Sequence, residues 1–325
     1  MKIGRIASLA IALVLFILLF TAGPEDNAPR SLQQFWNLGH IVLFFTLGFL
    51  LLNPPSPIAA RSFALQCLVL ISFTLLLGAS IELVQARIGR DMDLADMARN
   101  SVGALLSLAF VAPARLSLPG LARHGLQLIS VLVLTAACLP FALDLWDEQR
   151  ALQAWPELAS FEHSAALTRW SATGQSKLSV DGTSNPEGRQ ALRVELGTSA
   201  YAGASLDYFP GDWSAYQQLD MTIFNPRSSP LKITCRIHDQ AHSRAAQQDH
   251  GDRFNQSYQL LPGWNRISIS MQAVASAPAG RTMNMQQIDN LQLFVSDLTN
   301  TQVIYIGPLY LAEPLSINEG KPGED

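Results

Sequence analysis

The chain has 325 residues, 49% of them hydrophobic, with 22 Lys and Arg against 26 Asp and Glu and a formal net charge of −4 at pH 7. That length admits two ordinary domains, and the absence of a basic footprint excludes nucleic acid as a partner class. The three cysteines, Cys67, Cys138 and Cys235, lie in separate segments and make neither a disulfide framework nor a metal motif.

The averages hide a division. Up to about residue 146 the chain is dominated by Leu, Ala, Val, Ile and Phe, and from about residue 155 it is rich in Ser, Asn, Gln, Asp, Gly and Tyr. A membrane span needs roughly 20 mainly apolar residues. Five segments approach or reach this, at about 6–22, 36–52, 63–84, 94–112 and 125–145. The first follows Lys2 and Arg5, and Pro24 just past its only small-residue site argues against signal-peptide cleavage. The second stops at Asn53-Pro54-Pro55, the fourth at Pro113, and the fifth contains Pro140, which neighbouring helices can accommodate.

Basic residues in the gaps do not orient these spans. Lys2, Arg5, Arg61, Arg115 and Arg123 fall on one side and Arg30, Arg87, Arg90, Arg99 and Arg150 on the other, so the positive-inside rule ties. Helix parity nevertheless gives one face to His40, to the loop 82–100 and to everything after residue 146. An N-terminus inside the cell makes that face extracytoplasmic.

Polar residues gather there. Glu82 and Gln85, at i,i+3, share one helix face, and Asp93, Asp96, Asn100 and Gly103, spaced 3, 4 and 3, share another. Gly103 and Ser107 form a small-xxx-small pair that permits close helix approach. Singly, Arg87 or Asp91 reads as an interfacial loop charge, with aspartates favoured near a helix N-terminus. Together, His40, Glu82, Gln85, Arg90, Asp93, Asp96 and Asn100 form a candidate site. Such a set could bind an anionic head group or a pyrophosphate-linked sugar, or relay protons.

Gly39-His40 followed by Phe44-Phe45-Thr46-Leu47-Gly48 resembles the second helix of VanZ-like membrane proteins. Glu82-Leu83-Val84-Gln85, then Gly89-Arg90, Asp93, Asp96, Asn100 and Gly103, resembles that family's signature between helices three and four. The resemblance covers about residues 35–112, with Asn37 where the family commonly has a basic residue. It implies a bacterial integral membrane protein of the cell envelope, and carries no settled reaction.

Beyond a polar connector at 147–157, apolar–polar alternation recurs at strand-like intervals. Strands are expected at 178–180, 191–196, 203–208, 219–225, 231–238, 254–260, 265–270, 288–294 and 302–311, with turns at Asn225-Pro226 and Pro262-Gly263. So many short strands without a helical period close naturally as an antiparallel sandwich. The run Asp212-Trp213-Ser214-Ala215-Tyr216, Arg236-Ile237-His238-Asp239 with His242, Asp252-Arg253-Phe254-Asn255 and Leu261-Pro262-Gly263-Trp264 resembles carbohydrate-binding jelly-roll modules. That resemblance nominates Trp213, His238, Asp239, His242, Asp252, Arg253 and Trp264 for glycan binding. For the tryptophans the competing reading is a plug at the sandwich ends, and for the His/Asp/Arg group a clamp between neighbouring strands. His238, Asp239 and His242 match no recognised metal-ligand spacing.

The expectation is therefore a multi-domain chain. Residues 1–146 form an all-α transmembrane domain of five helices, 147–157 a linker, and 158–312 an all-β jelly-roll or galactose-binding-like sandwich. Residues 313–325 read as a disordered tail. The expected role is an envelope membrane protein binding a membrane lipid or lipid-linked glycan at the interface, with a sandwich that recognises a polysaccharide. Two alternatives stand beside it: a membrane enzyme acting on a lipid-linked sugar, and a sensor or assembly factor in polysaccharide export. No catalytic residue, metal or cofactor is nominated; sandwich modules of this kind admit calcium, which nothing here indicates.

Overall fold

The computed structural model describes residues 2–24, 28–87, 93–162, 164–182 and 190–313, and divides into two compact units, Met1–Leu145 and Trp146–Asp325. Arg90 of the candidate membrane site and the expected tail beyond residue 313 lie outside the described residues.

The first unit is helical: α1 (Lys2–Thr21), α2 (Arg30–Asn37), α3 (Gly39–Leu52), α4 (Phe63–Arg87), α5 (Leu94–Leu106) and α6 (Gly120–Ala154). Five stretches are long and apolar enough to cross a membrane: Gly4–Thr21, Arg30–Leu52, Phe63–Arg87, Leu94–Val111 and Gly120–Ala154. The second begins earlier than the expected residue 36, because α2 precedes α3 across Leu38. α6 continues through most of the expected connector to Ala154. At 1.5 Å per residue it is ~50 Å long, well beyond the ~30 Å of hydrocarbon in a bilayer. Leu68, Leu76, Leu121 and Leu132 remain exposed, as side chains facing lipid would be.

Inside the unit, Leu43 and Phe44 of α3 pack with Ile81 of α4 and with Ala12 and Leu19 of α1. α3 and α5 approach most closely at Gly103, where an added Cβ would run into the carbonyl of Ile41 and come within 2.8 Å of the Phe45 amide. One turn on, Ser107 Oγ donates to the Phe45 carbonyl (2.9 Å) and lies against Gly48. Without a hydrophobic force between helices in lipid, contacts of this kind and interhelical hydrogen bonds hold the pair together.

The second unit is an antiparallel sandwich. Its strands are β1 (Glu157–Ala159), β2 (Trp170–Thr173), β3 (Lys177–Asp181), β4 (Ala191–Leu196), β5 (Tyr201–Leu206), β6 (Gln218–Asn225), β7 (Leu231–Asp239), β8 (Phe254–Leu260), β9 (Gly263–Ser270), β10 (Ile288–Ser296) and β11 (Gln302–Ala312). One sheet has the order β3-β4-β11-β6-β9, with β1 also on β11; the other is β2-β5-β10-β7-β8. β1 and β2 were not anticipated: with three and four residues, they are too short to show a period. The core alternates as the pleat demands, for example Leu219, Met221 and Ile223 of β6 and Ile233, Cys235 and Ile237 of β7. In β11 the inward set jumps from Ile306 to Leu309, three residues against the two from Ile223 to Met221 on β6, so a bulge restores the inward face.

Arg169 pairs with Asp147 within this unit (Nε to Oδ2, 3.0 Å), and both side chains are buried. Asp147 therefore belongs to a buried ion pair, where the sequence suggested only a solvated connector.

Gly103→Leu is expected to destabilise the helical unit by ~1–3 kcal/mol or more, since the backbone of α3 cannot withdraw from the new side chain. Thermal unfolding of the detergent-solubilised protein measures it; an unchanged transition would be incompatible with the close α3–α5 approach.

Candidate functional site

In the helical unit the nominated residues converge from three helices. Asp93 caps α5, its Oδ1 accepting from the Ala95 amide (2.8 Å), while its own amide donates to Glu82 Oε2 of α4 (3.0 Å). Arg99 bridges Asp96, at very short range, and Asp93 (3.3 Å). His40 of α3 is held between two oxygens: Nδ1 is 3.0 Å from Asn100 Oδ1 and Nε2 is 3.4 Å from Asp96 Oδ2. Gln85 turns elsewhere, donating to the Leu19 carbonyl and tying α1 to α4 (3.1 Å). Arg99, absent from the nominated set, is the cation that organises it. Its i,i+3 spacing from Asp96 was the available signal.

The cluster is nearly enclosed. His40, Glu82 and Asn100 are buried, and Glu82 Oε1 and Asn100 Nδ2 have no hydrogen-bond partner among the described residues. Gly78, one turn before Glu82 on α4, would place a Cβ 2.9 Å from Asn100 Nδ2. One unpaired acceptor and one unpaired donor, both withdrawn from water, are costly to leave unmade.

In the sandwich the nominated residues separate into three places. Trp213 is wholly buried, its Nε1 donating to the Pro210 carbonyl (3.1 Å) and its ring packed on Phe209. It plugs the core and has no face to offer a sugar. Trp264 lies on the outer face of the six-stranded sheet, where Trp264, Phe224 and Tyr305 are laterally paired through β9, β6 and β11.

His238, Asp239, His242 and Asp252 form a rim latch around a residue the sequence did not single out, Arg281. Its guanidinium grips Asp239 (2.6 and 2.7 Å) and Asp252 (2.6 and 2.9 Å). Asp239 also accepts from the amides of Asn284 (2.7 Å) and His242 (3.1 Å), the latter opening the short α7 (Gln240–Ser243). The clamp reading thus fits the geometry, with Arg281 in the place expected for Arg253. Burial works to raise the Asp239 carboxyl, but Arg281 and the two amides outweigh it and hold it low. Arg281 likewise holds Asp252 low. The rings of His238 and His242 lie tilted against each other, centroids 4.8 Å apart. Burial and neighbouring Arg236 push the His238 imidazole down to about 3, and burial also lowers His242. Among the described residues no three such groups converge as a metal site.

Arg253 instead enters a groove of about 480 Å³ on the outer face of the five-stranded sheet. The pleat builds its floor. Thr173, Gly203, Phe294, Thr234 and Ser257 form one lateral row across β2, β5, β10, β7 and β8; Gln292, Arg236 and Asn255 form part of the next. Gly203 leaves a trough beside Phe294, and β10 passes so near that an added Cβ would collide with the Leu293 carbonyl. The Tyr201 and Phe294 rings meet edge to face, centroids 5.5 Å apart, and Tyr201 is 61% exposed. Gln292 Nε2 donates to Thr173 Oγ1 (2.8 Å), and Thr234 pairs with Ser257 (2.9 Å). Of the seven sandwich residues nominated, only Arg253 lines this groove. Apart from His250, the others that line it are strand positions, mostly outward ones alternating with core residues, a signal too common to single them out.

Neither a family model nor a curated protein sequence matches the chain. Solved structures do match, each over about half of this chain. One is the family 11 carbohydrate-binding module from Clostridium thermocellum in complex with a β-1,3-1,4-mixed-linked tetrasaccharide, 19% identical over 48% of this chain and 94% of that one, TM-score 0.37. Another is an exo-β-agarase, 14% identical over 52% of this chain and 25% of that one, TM-score 0.39. A third is the Clostridium thermocellum endo-1,4-β-D-xylanase 10B N-terminal fragment with xylohexaose, 12% identical over 48% and 28%, TM-score 0.33.

The rim latch predicts the acid response. A His238 imidazole depressed to about 3 stays neutral in the fold while the unfolded chain gains a proton below ~6.5. Its contribution is therefore complete above pH ~6.5 and is lost progressively as pH falls towards 3. The depressed Asp239 and Asp252 add a further loss below pH ~4, as they protonate in the unfolded chain first. The sandwich transition, followed by tryptophan fluorescence, should fall between pH 7 and 5, and His238→Gln should flatten that slope while leaving the loss below pH 4. Arg281→Gln, which strands the buried Asp239 charge, should cost ~3–5 kcal/mol at pH 7.

Proposed function

We propose that this chain is a multi-pass protein of the bacterial cell envelope whose sandwich holds a glycan in the groove of its five-stranded sheet. The observation that carries this is the exposed Tyr201 ring standing edge to face on Phe294 beside a floor of hydrogen-bonding side chains. An aromatic face complements the apolar face of a pyranose, and Thr234, Asn255, Ser257 and Gln292 supply donors and acceptors for its hydroxyls. One aromatic wall over a largely polar floor suits a hydroxyl-rich ligand better than an apolar one.

The helical unit, in this reading, is VanZ-like and binds a membrane lipid or lipid-linked glycan near the interface. Support comes from Glu82 Oε1 and Asn100 Nδ2, an unpaired acceptor and an unpaired donor of the kind that the hydroxyls of a sugar or glycerol group satisfy. Asp93 and Asp96 pair with Arg99, the one described guanidinium in contact with the cluster, and the further carboxylate of Glu82, bonded to the Asp93 amide, favours a hydroxyl-rich head group over a doubly charged phosphate. With the N-terminus inside, five spans put the sandwich outside the cytoplasmic membrane, and tethering there raises the effective concentration of envelope glycan.

A glycan panel presented to the full-length protein in detergent should give binding that Tyr201→Ala weakens about 2- to 12-fold, corresponding to ~0.5–1.5 kcal/mol for a lost aromatic contact. Panel-wide absence of binding would remove the reading. A reporter fused after residue 313 and active only outside the cytoplasm is the expected sidedness result; activity only inside would reverse the orientation.

A further inference from the structure

Two arginines, Arg236 and Arg253, line the groove, and among the described residues no Asp or Glu lines it, in a chain whose formal net charge is −4. Neither arginine makes a salt bridge or side-chain hydrogen bond among the described residues, and the Nε of each is buried without a partner. Elsewhere in the sandwich guanidiniums are partnered: Arg169 by Asp147, Arg193 by Glu195, Arg281 by Asp239 and Asp252. Burial, and then the charge of Arg253, lower Arg236 to about 10, and the attraction of Asp207, which is not in contact with it, only partly offsets them. A half-buried guanidinium pair kept without a carboxylate is costly in the empty fold and favourable once an anion fills the space between.

We propose that the groove recognises an acidic glycan, one bearing carboxylate or sulfate groups, with Arg236 and Arg253 as the anion clamp and Tyr201 and Phe294 as the wall for the ring. The proposal rests on the glycan-binding reading above and names its ligand class. Planar guanidiniums suit carboxylate and sulfate oxygens, which they can engage through two parallel hydrogen bonds. Register places Arg236 beside Gln292 and across from Asn255, so the acid group would sit over the second lateral row. The sugar face would then extend over the first row, in the trough left by Gly203. Short chains suffice, because the groove encloses only about 480 Å³.

The test uses full-length protein in detergent and calorimetric titration with three sets of oligosaccharides, three to six sugars long. These are galacturonate and alginate oligomers, sulfated galactan oligomers, and the carboxyl-reduced or desulfated neutral counterparts of each. One anionic set should bind at least tenfold more tightly than its neutral counterpart at low salt, and which set does so distinguishes carboxylate from sulfate. Added salt should erode the preference. Arg236→Gln and Arg253→Gln should each cost the anionic ligand about tenfold, the scale of one charge-assisted contact, without lowering the melting temperature of the ligand-free protein. A purely structural role would lower that temperature. Equal binding of neutral and anionic forms, or anionic binding indifferent to both substitutions, would overturn the acidic-ligand assignment and leave the glycan-binding reading standing. Failure of every oligosaccharide to bind would overturn both.

Discussion

A polar group withdrawn from water and left unpaired costs roughly 1–3 kcal/mol, and both units of the chain are organised around meeting that cost. The apolar half satisfies its backbone within helices, as segments able to cross a membrane must. The sandwich satisfies its own through ladders between neighbouring strands. Where side chains carry charge into the interior they arrive in networks: His40 with Asn100 and Asp96, Arg169 with Asp147, and Arg281 with Asp239 and Asp252.

Against that rule the exceptions acquire meaning. Glu82 Oε1 and Asn100 Nδ2 in the helical unit, and the Nε atoms of Arg236 and Arg253 in the sandwich, are buried and unpaired among the described residues. Close packing explains how the first pair persists. Gly78 and Gly103 let α4 and α5 seat against their neighbours so tightly that neither Asn100 nor the α3 backbone can retreat. In the groove, the pleat places Arg236: Cys235 and Ile237 point into the core, so Arg236 between them must point out, while Arg253 enters from just before β8.

The His/Asp/Arg rim shows how the same residue types can serve structure. Asp239 and His242 are fully buried, and Arg281 consumes the carboxylates that a ligand would need. What looked in the sequence like one polar patch is split by strand direction. Asp239, His242 and Asp252 close one end of the sandwich, and Arg253, next to Asp252 in the chain, turns onto the sheet face.

The sequence by itself determined the division into an apolar helical half and a β-rich half, because hydrophobic length and period-two alternation are local properties that need no partner. Nine strands and five spans were legible on that ground, and β1 and β2 were not, being too short to show a period. Part of the helical cluster was legible as well, since spacings of three and four put Asp93, Asp96 and Asn100 on one helix face, whereas Gln85 turns away to Leu19. Only the tertiary structure decided which charges meet. Asn100 reaches His40 across 60 residues and Arg281 reaches Asp239 across 42, and no local pattern encodes such pairings. It also decided that Trp213 is core and that Tyr201, Phe294, Arg236 and Arg253 share a groove. That placement depends on the lateral register of the five-stranded sheet, and register is set by how the two sheets pack rather than by any one strand.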